Sequence, residues 1–192
     1  MAKVSIIGTG TWGIALGMVL AQNGHEVTAW SALLKEIEAL RESYTCKNLP
    51  GVEIPRSIVF TADLQEACTD KEMLVLSVPS VFTRGVAKQM NPFVKEGQLI
   101  VSVAKGIEEK TLMTMSQQIE EELPMANVAV LSGPSHAEEV SRGIPTTVVV
   151  GAKDRQTAEH IQNLFMSSVF RVYTSPDILG IELGGALKNV IA

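Results

Sequence analysis

The sequence of 192 residues has little cysteine and no concentration of positive charge. Its two cysteines, Cys46 and Cys68, have neither metal-ligand spacing nor the paired pattern of a disulfide framework, so no metal site is expected. Free thiols fit a reducing compartment better than secretion, and we therefore expect a cytoplasmic protein. The formal net charge is -5 and no run of lysine or arginine occurs, which argues against nucleic acid or an anionic membrane as a partner.

Long apolar runs are missing as well. No stretch reaches the length that a membrane span requires, and the apolar run near the N-terminus is too short for a signal peptide. The chain does contain 46% hydrophobic and 19% charged residues, a balance that can bury a core. No internal repeat or low-complexity linker divides it, so its length predicts one domain, or one domain with part of another.

Short runs of β-branched and apolar residues alternate with helical patterns along the chain. Several runs are apolar at consecutive positions, as in strands covered on both faces. The alternation predicts an α/β fold: a doubly wound Rossmann-type sheet, mostly parallel, with helices on both faces. The predicted strands are KVSIIG, HEVTAW, SIVF, EMLVLSV, QLIVSVA, NVAVLSG, PTTVVVG and FRVYT. The predicted helices cover 11–23, 32–43, 80–90, 111–122, 135–142 and 154–166, with a short one after Asp63; Asp63 and Asp154 are expected N-caps.

The most informative motif is the glycine loop at the start of the chain. Gly8, Gly10 and Gly13 form G-x-G-x-x-G between an apolar strand and a helix that begins near Thr11. In that context Gly8 makes the tight turn, Gly10 lets the backbone approach a pyrophosphate, and Gly13 lets helix and strand lie close together. The motif predicts dinucleotide binding, and the structural alternative is a glycine turn without a ligand.

One part of the dinucleotide fingerprint is absent. NAD sites usually carry an Asp or Glu at the end of the second strand, where it binds the ribose diol. Here Trp30 is followed by Ser31-Ala32-Leu33, the first carboxylate is Glu36, and the nearest cation is Lys35. The choice between NAD and NADP stays open, and residues 31–33 alone predict discrimination within about tenfold.

Further polar residues follow other predicted strands, at the edge where open α/β sheets bind ligands. Lys105 lies directly after a buried strand, which is unusual for an unpaired lysine. In the turn SGPSH, Ser135 can either cap the following helix or present its hydroxyl to an anion. Near the C-terminus, Lys188 lies in a helical pattern with an apolar stripe. The simplest interpretation of Lys188 is an exposed lysine on the surface of that helix. If Lys188 and Lys105 converge, each lowers the pKa of the other, and such a lysine can exchange a proton with a hydroxyl.

Four stretches together resemble bacterial NAD(P)-dependent glycerol-3-phosphate dehydrogenases. The resemblance implies NAD or NADP as cofactor and the reversible reduction of dihydroxyacetone phosphate to sn-glycerol 3-phosphate, which feeds phospholipid synthesis. The stretches, which follow the family's order along the whole chain, are GTGTWGIALGMVLAQNGHEV, VAKGIE, LSGPSHAEEV and FRVYTSPDILGIELGGALKNVIA.

The resemblance also implies roles for individual residues. Lys188 matches the family's proton acceptor and is the expected catalytic residue. The positions that match dinucleotide contacts are Thr11, Trp12, Lys105 and Ala137. The positions that match substrate contacts are Lys105, Gly133, Ser135 and Lys188.

Members of this family continue into a helical second domain that completes the substrate site. We therefore expect 1–175 to be the dinucleotide-binding domain and 176–192 to begin the helix that leads into a substrate domain missing from this chain. The apolar stripe of that helix, which would then be exposed, is Leu183, Leu187, Val190 and Ile191. A full-length member is expected to form a homodimer.

Two alternatives remain open on the sequence. One is another lysine-using β-hydroxyacid dehydrogenase, such as a hydroxyisobutyrate-type or 6-phosphogluconate-type enzyme, which would share the glycine loop but not SGPSHAEE or ELGGALKN. The other is a module that binds a dinucleotide without turnover. A serine hydrolase is disfavoured, because Ser135 and His136 are adjacent and no G-x-S-x-G motif occurs.

Overall fold

The computed structural model describes residues 1–188 and shows one eight-stranded sheet with helices on its faces. All the predicted strands are present. They are β1 (Lys3–Ile7), β2 (Glu26–Trp30), β3 (Val59–Thr61), β4 (Met73–Leu76), β5 (Leu99–Ser102), β6 (Asn127–Ser132), β7 (Thr146–Gly151) and β8 (Phe170–Ser175). The helices are α1 (Thr11–Gln22), α2 (Leu34–Ser43), α3 (Leu64–Cys68), α4 (Thr83–Met90), α5 (Met115–Glu122), α6 (Ala137–Ser141), α7 (Arg155–Phe165) and α8 (Ile178–Ala186).

The order of the strands is that of a doubly wound sheet. Neighbouring strands follow the sequence β3-β2-β1-β4-β5-β6-β7-β8, and every pair is parallel except β6 with β7. The chain leaves β1 in one direction towards β2 and β3 and returns to the other side of β1 with β4. The prediction of a mostly parallel Rossmann-type sheet is confirmed, and its topological switch point lies between β1 and β4, where such sheets bind ligands.

The sheet is buried on both faces, which explains the consecutive apolar residues of its strands. Side chains alternate between the faces of a strand, so Ile6 and Ile7 of β1 point to opposite layers. Both are fully buried, and each belongs to a different apolar cluster. Helix α1 contacts α6 and α7 in one layer, and α4 contacts α5 in the other.

The helix boundaries show where local signals are sufficient and where they are not. The Asp63 side chain accepts hydrogen bonds from two N–H groups of α3, and Asp154 accepts one from the third residue of α7, so both predicted caps are confirmed. The predicted helix 111–122 begins only at Met115, because Leu112 has a φ of 59°, which a helix cannot include. No helix within residues 1–188 has the length and apolarity needed to span a bilayer.

Helix α8 contacts β6 and β7 and carries the predicted apolar stripe only in part. Leu183 and Leu187 are 36% and 47% exposed, whereas Val190 and Ile191 lie outside the described residues. Lys188 follows the C-cap residue Leu187. The division into 1–175 and 176–192 stays a prediction.

Candidate functional site

A cleft of about 570 Å³ opens at the carboxyl ends of the central strands, next to the switch point. It is formed by the glycine loop and by the segments that follow β4, β5 and β6. The predicted site residues that line it are Gly10, Thr11, Trp12, Lys105, Ser135 and Ala137. The fold therefore brings residues from three distant motifs to one edge of the sheet.

Two of the three motif glycines shape the loop itself. Gly8 has a φ of +117° and its N–H donates to the Trp30 carbonyl oxygen over 2.9 Å, so the loop turns directly beside the end of β2. Gly13 lies behind the loop, where a Cβ atom would come under 3.0 Å from the Gly8 carbonyl oxygen. Helix α1 can approach β1 this closely only because position 13 has no side chain.

The third glycine opens onto the cleft. A Cβ atom on Gly10 would meet no other atom within 4 Å. Gly10 is the N-cap of α1, and its carbonyl oxygen accepts a hydrogen bond from the N–H of Ile14. The preceding N–H groups, those of Thr11, Trp12 and Gly13, thus have no acceptor within the helix. Among the described residues no side chain caps this terminus and its first turn has no acidic residue, so α1 offers a free N-terminus to an anion.

Ser77 holds the glycine loop, a role that the sequence analysis missed. Its hydroxyl donates to the Gly8 carbonyl oxygen over 2.7 Å, and its N–H donates to the Ile7 carbonyl oxygen over 2.9 Å. A polar residue directly after the buried strand β4, next to β1 in the sheet, was the available signal. Ser77 also lines the cleft and joins it to a second pocket.

This second pocket, of about 560 Å³, extends from the glycine loop past the end of β2. Val81 and Phe82, which are 81% and 59% exposed, provide apolar lining, and Ser31 and Glu36 provide polar lining. The Ser31 hydroxyl donates to the Glu36 carboxylate over 2.6 Å. A carboxylate from the first turn of α2 therefore lies next to the residue that follows β2.

On the other side of the glycine loop, three predicted substrate residues meet at one carbonyl oxygen. The Lys105 ammonium donates to the Gly133 carbonyl oxygen over 3.0 Å, and the Ser135 N–H donates to the same oxygen over 2.9 Å. Gly133 lies close against β7, where a Cβ atom would come within 2.9 Å of the Thr147 carbonyl oxygen. The close backbone approach explains why glycine stands at position 133, and the predicted substrate contact of Gly133 stays a prediction.

The capping role considered for Ser135 is wrong. Helix α6 begins at Ala137 with His136 in the N-cap position and no side-chain cap. The Ser135 hydroxyl instead lies 3.5 Å from the Gly133 carbonyl oxygen, and the residue is 6% exposed. The chain between β6 and α6 turns one residue later than expected, which leaves the Ser135 hydroxyl beside Lys105 rather than over the helix.

Lys188 lies next to this group. It lines a hollow of about 440 Å³ together with Ser132, Gly133 and Gly185. Gly185 brings α8 close to the site, since a Cβ atom there would lie 2.7 Å from the Ser132 hydroxyl and 3.6 Å from Lys105 Cγ. Burial lowers the pKa of Lys105, and the positive charge of Lys188 lowers that pKa further. The two lysines, whose convergence is only a condition in the sequence analysis, therefore lie close enough for the charge of Lys188 to act on Lys105.

The segment that carries Lys105 is fixed by a charged cluster around Arg84. The Arg84 guanidinium donates two hydrogen bonds of 2.8 Å to Glu108 and also binds the carboxylates of Glu121 and Glu122. These contacts raise the pKa of Arg84 and lower the pKa of Glu108 to about 2. Arg84 therefore joins α4, the Lys105 segment and α5.

A second anchor, also missed from the sequence, holds α8. Glu182 is 9% exposed and its carboxylate accepts from the Ser116 N–H over 2.8 Å and from the Ser116 hydroxyl over 2.6 Å. Ser116 is in the first turn of α5, so a carboxylate of α8 interacts with the positive end of another helix. The interaction holds α8 in place at Glu182, six residues before Lys188. Among residues 1–188, no group of three or more His, Cys, Asp or Glu is arranged to hold a metal ion.

A glycine loop over a free helix N-terminus, at the switch point of a doubly wound sheet, defines a dinucleotide-binding α/β domain. Residues 3–158 match the family described as "NAD-dependent glycerol-3-phosphate dehydrogenase N-terminus". The chain belongs to this family.

Curated relatives and solved structures agree with that assignment. The chain is 62% identical over 193 residues to glycerol-3-phosphate dehydrogenase [NAD(P)+] of Agathobacter rectalis, covering 100% of this chain and 57% of the relative. It is 54% identical over 195 residues to the protein of the same name from Fusobacterium nucleatum, covering 100% and 58%. The crystal structure of glycerol-3-phosphate dehydrogenase from Coxiella burnetii is 28% identical, with a TM-score of 0.92 over 99% of this chain and 58% of that one. The chain thus spans less than two thirds of the length of these relatives.

Proposed function

We propose that this chain is the dinucleotide-binding part of an enzyme that transfers a hydride between NAD(P)H and dihydroxyacetone phosphate, giving sn-glycerol 3-phosphate for phospholipid synthesis. The observation that carries the proposal is that Lys105 lines the cleft that opens on the free N-terminus of α1, while Lys188 lines the adjacent hollow and its charge acts on Lys105. The names of the relatives in the same family support this reaction. Resemblance to the family also leads us to propose a cytoplasmic enzyme that is a homodimer at full length.

The cofactor end of the site fits a dinucleotide. The space beside Gly10 and the unpaired N–H groups of Thr11 and Trp12 suit a pyrophosphate, whose charge the positive end of α1 would stabilise. Ala137, on the opposite wall of the cleft, would contact the same ligand. When bound, the dinucleotide supplies or accepts the hydride. The chain's residues therefore bind and orient it beside the two lysines.

The substrate end provides positive charge and hydrogen-bond donors. A lysine ammonium has three N–H donors, and Lys105 uses one of them on the Gly133 carbonyl oxygen. The remaining donors, with the Ser135 hydroxyl, can bind oxygen atoms of a small phosphorylated substrate. Because Lys105 is half-buried, its charge would act on the substrate with little screening by water.

Lys188 is the proposed proton donor and acceptor. When hydride adds to the carbonyl carbon of dihydroxyacetone phosphate, the carbonyl oxygen must receive a proton, and the Lys188 ammonium would provide it. In the reverse direction the neutral amine would take the proton from the hydroxyl of sn-glycerol 3-phosphate as hydride leaves. Lys105 is held by its hydrogen bond to the Gly133 carbonyl oxygen, which suits a role in binding the substrate. Lys188 lines the adjacent hollow, which suits the role of proton donor and acceptor.

The proposal is tested with a polypeptide of the relatives' length that includes this chain. NADH oxidation is measured with dihydroxyacetone phosphate for the wild type, Lys188→Met, Lys105→Met and Lys110→Met. Loss of proton transfer in Lys188→Met should lower kcat by about 10²–10⁴-fold. Lys105→Met should raise KM as well as lower kcat, because its charge faces the substrate.

Lys110→Met is the matched control, since Lys110 is an exposed lysine of the same segment as Lys105. It should behave as the wild type. Near-normal activity of Lys188→Met would show that another group transfers the proton. The 192-residue chain alone is expected to bind a dinucleotide without turnover, because the substrate site of the family is completed by a second domain. Appreciable turnover by the chain alone would contradict that expectation.

A further inference from the structure

We propose that Glu36, held in position by Ser31, recognises the ribose diol at the adenosine end of the dinucleotide and makes this chain select NAD(H) over NADP(H). The proposal rests on the proposed function, because it presumes a dinucleotide in the glycine-loop cleft. It assigns a specificity-determining residue where the sequence pattern shows no strand-end carboxylate.

Ser31 and Glu36 both lie at the end of β2, beside the glycine loop. The Gly8 N–H bonds to the Trp30 carbonyl oxygen, so the glycine loop lies beside the end of β2. Ser31 is the next residue and is 7% exposed. Glu36 is in the first turn of α2, yet its carboxylate returns to the end of β2 to bond the Ser31 hydroxyl over 2.6 Å. It therefore reaches the region where a dinucleotide fold normally places its ribose-binding carboxylate.

The hydrogen bonds around Ser31 run in one direction, towards the Glu36 carboxylate. The Leu33 N–H donates to the Ser31 hydroxyl oxygen over 3.2 Å, and the Ser31 hydroxyl gives its one proton to Glu36. Both bonds orient the Glu36 side chain and leave acceptor sites on its carboxylate. A carboxylate has about four acceptor sites, so a ribose diol can still donate to it.

The charge of the pocket lining is negative. Of the described residues that line the pocket beside the glycine loop and β2, Glu36 alone is charged, and none is lysine or arginine. Lys35 is adjacent to Glu36 in the helix, and adjacent helical residues do not face each other. Arg41 is occupied with the Phe60 carbonyl oxygen, to which it donates over 2.6 and 2.9 Å. A 2′-phosphate, with a charge of about -1.5 to -2, would meet a carboxylate and no arginine or lysine in this lining.

With Glu36 in this pocket, we expect a stronger preference for NADH than the discrimination within about tenfold that residues 31–33 alone predict. A hydrogen bond to a charged group is commonly equivalent to about tenfold or more in affinity. In NADPH the 2′-phosphate replaces the hydroxyl that would donate to Glu36, and the Glu36 carboxylate repels it. Both effects lower the affinity for NADPH relative to NADH. We therefore expect NADH to bind at least about tenfold more tightly than NADPH.

The experiment compares the affinities for NADH and NADPH by fluorescence titration of the 192-residue chain. The variants are Glu36→Gln, Ser31→Ala and the matched control Glu38→Gln, which removes an exposed carboxylate of the same helix outside the pocket. Glu36→Gln should reduce the preference for NADH by about tenfold. Ser31→Ala should reduce it by less, because Glu36 remains but is no longer held, and Glu38→Gln should leave the ratio unchanged.

The outcomes separate this proposal from the proposed function. Binding of both dinucleotides with equal affinity, or an unchanged ratio in Glu36→Gln, would overturn the role of Glu36 and leave dinucleotide binding intact. Failure of the wild type to bind either dinucleotide would overturn the proposed function itself. A lower unfolding temperature of Glu36→Gln with an unchanged ratio would show that the Ser31–Glu36 pair has a structural role only, and would also overturn the proposal.

Discussion

The close approach of α1 to β1 leads to a prediction about the stability of the protein without a ligand. Gly13 and Gly17 lie one turn apart in α1, and both are buried. A Cβ atom on Gly13 would come under 3.0 Å from the Gly8 carbonyl oxygen, which is a backbone atom and cannot rotate away. A Cβ atom on Gly17 would meet its nearest neighbour, Ile6 Cγ1, at 3.4 Å, which is an ordinary contact. The same substitution, glycine to alanine, should therefore have opposite effects at the two positions.

The magnitude follows from two terms of opposite sign. Alanine favours a helix interior over glycine by up to about 1 kcal/mol, and this gain applies to both variants. At position 13 the added methyl group overpacks the contact between helix and loop, which commonly costs about 1–3 kcal/mol. We expect Gly17→Ala to be as stable as the wild type or up to about 1 kcal/mol more stable. Gly13→Ala should be less stable than Gly17→Ala by about 1–3 kcal/mol.

Urea denaturation followed by circular dichroism measures both free energies of unfolding. For a chain of this size, 1 kcal/mol corresponds to about 2–4 °C in Tm, so thermal unfolding gives an independent reading. Equal stabilities of Gly13→Ala and Gly17→Ala would refute the reasoning, because the helix would then tolerate a side chain at the contact. Gly13→Ala should also weaken NADH binding, since the methyl group displaces the N-terminus of α1.

Three further predictions concern groups outside the glycine loop. Arg84 lowers the pKa of Glu108 to about 2, below its usual 4.5. The stability that this carboxylate contributes is therefore present above pH 4.5 and is lost as the pH falls towards 2. In Glu108→Gln, the free energy of unfolding should depend less on pH within that window. Glu182→Ala leaves donors in the first turn of α5 buried without their acceptor and should cost about 1–3 kcal/mol in urea denaturation, with a smaller loss for Glu182→Gln, which retains one acceptor oxygen. Burial raises the pKa of the Cys68 thiol to about 12, whereas Cys46 is partly exposed. Cys46 should therefore react first with a thiol reagent at pH 8, as measured by peptide mass spectrometry. Equal labelling of the two cysteines would contradict the burial of Cys68.

The sheet and the glycine loop could be predicted from the sequence because their signals are local. An apolar run covered on both faces identifies a strand without knowledge of its neighbours, and all the strands were found in this way. The loop was recognised because strand, glycines and helix occur within one short segment. The positive φ of Gly8 and the contact of Gly13 with the Gly8 carbonyl oxygen arise within that segment, whereas the contacts of both glycines with the chain after β4 do not.

The rest of the site depends on contacts that sequence spacing does not reveal. In the sequence Glu36 is only the first carboxylate after the end of β2, and nothing in its spacing shows that its carboxylate returns to bond the Ser31 hydroxyl. Glu182 and Ser116 are 66 residues apart and meet only because α8 lies across the N-terminus of α5. Ser135 was considered as a cap, but its hydroxyl is directed by the position of the Gly133 carbonyl oxygen, which β7 fixes.

Titration of NADH against the wild type and Gly10→Val tests the central claim most directly, because that claim is that the glycine loop holds a pyrophosphate at the N-terminus of α1. A Cβ atom at position 10 would meet no atom within 4 Å, so we expect the variant to fold, with at most about 1 kcal/mol lost from the less favourable N-cap. The valine would occupy the space assigned to the pyrophosphate. We predict saturable NADH binding by the wild type and none by a folded Gly10→Val. Equal affinities of the two proteins would contradict the account.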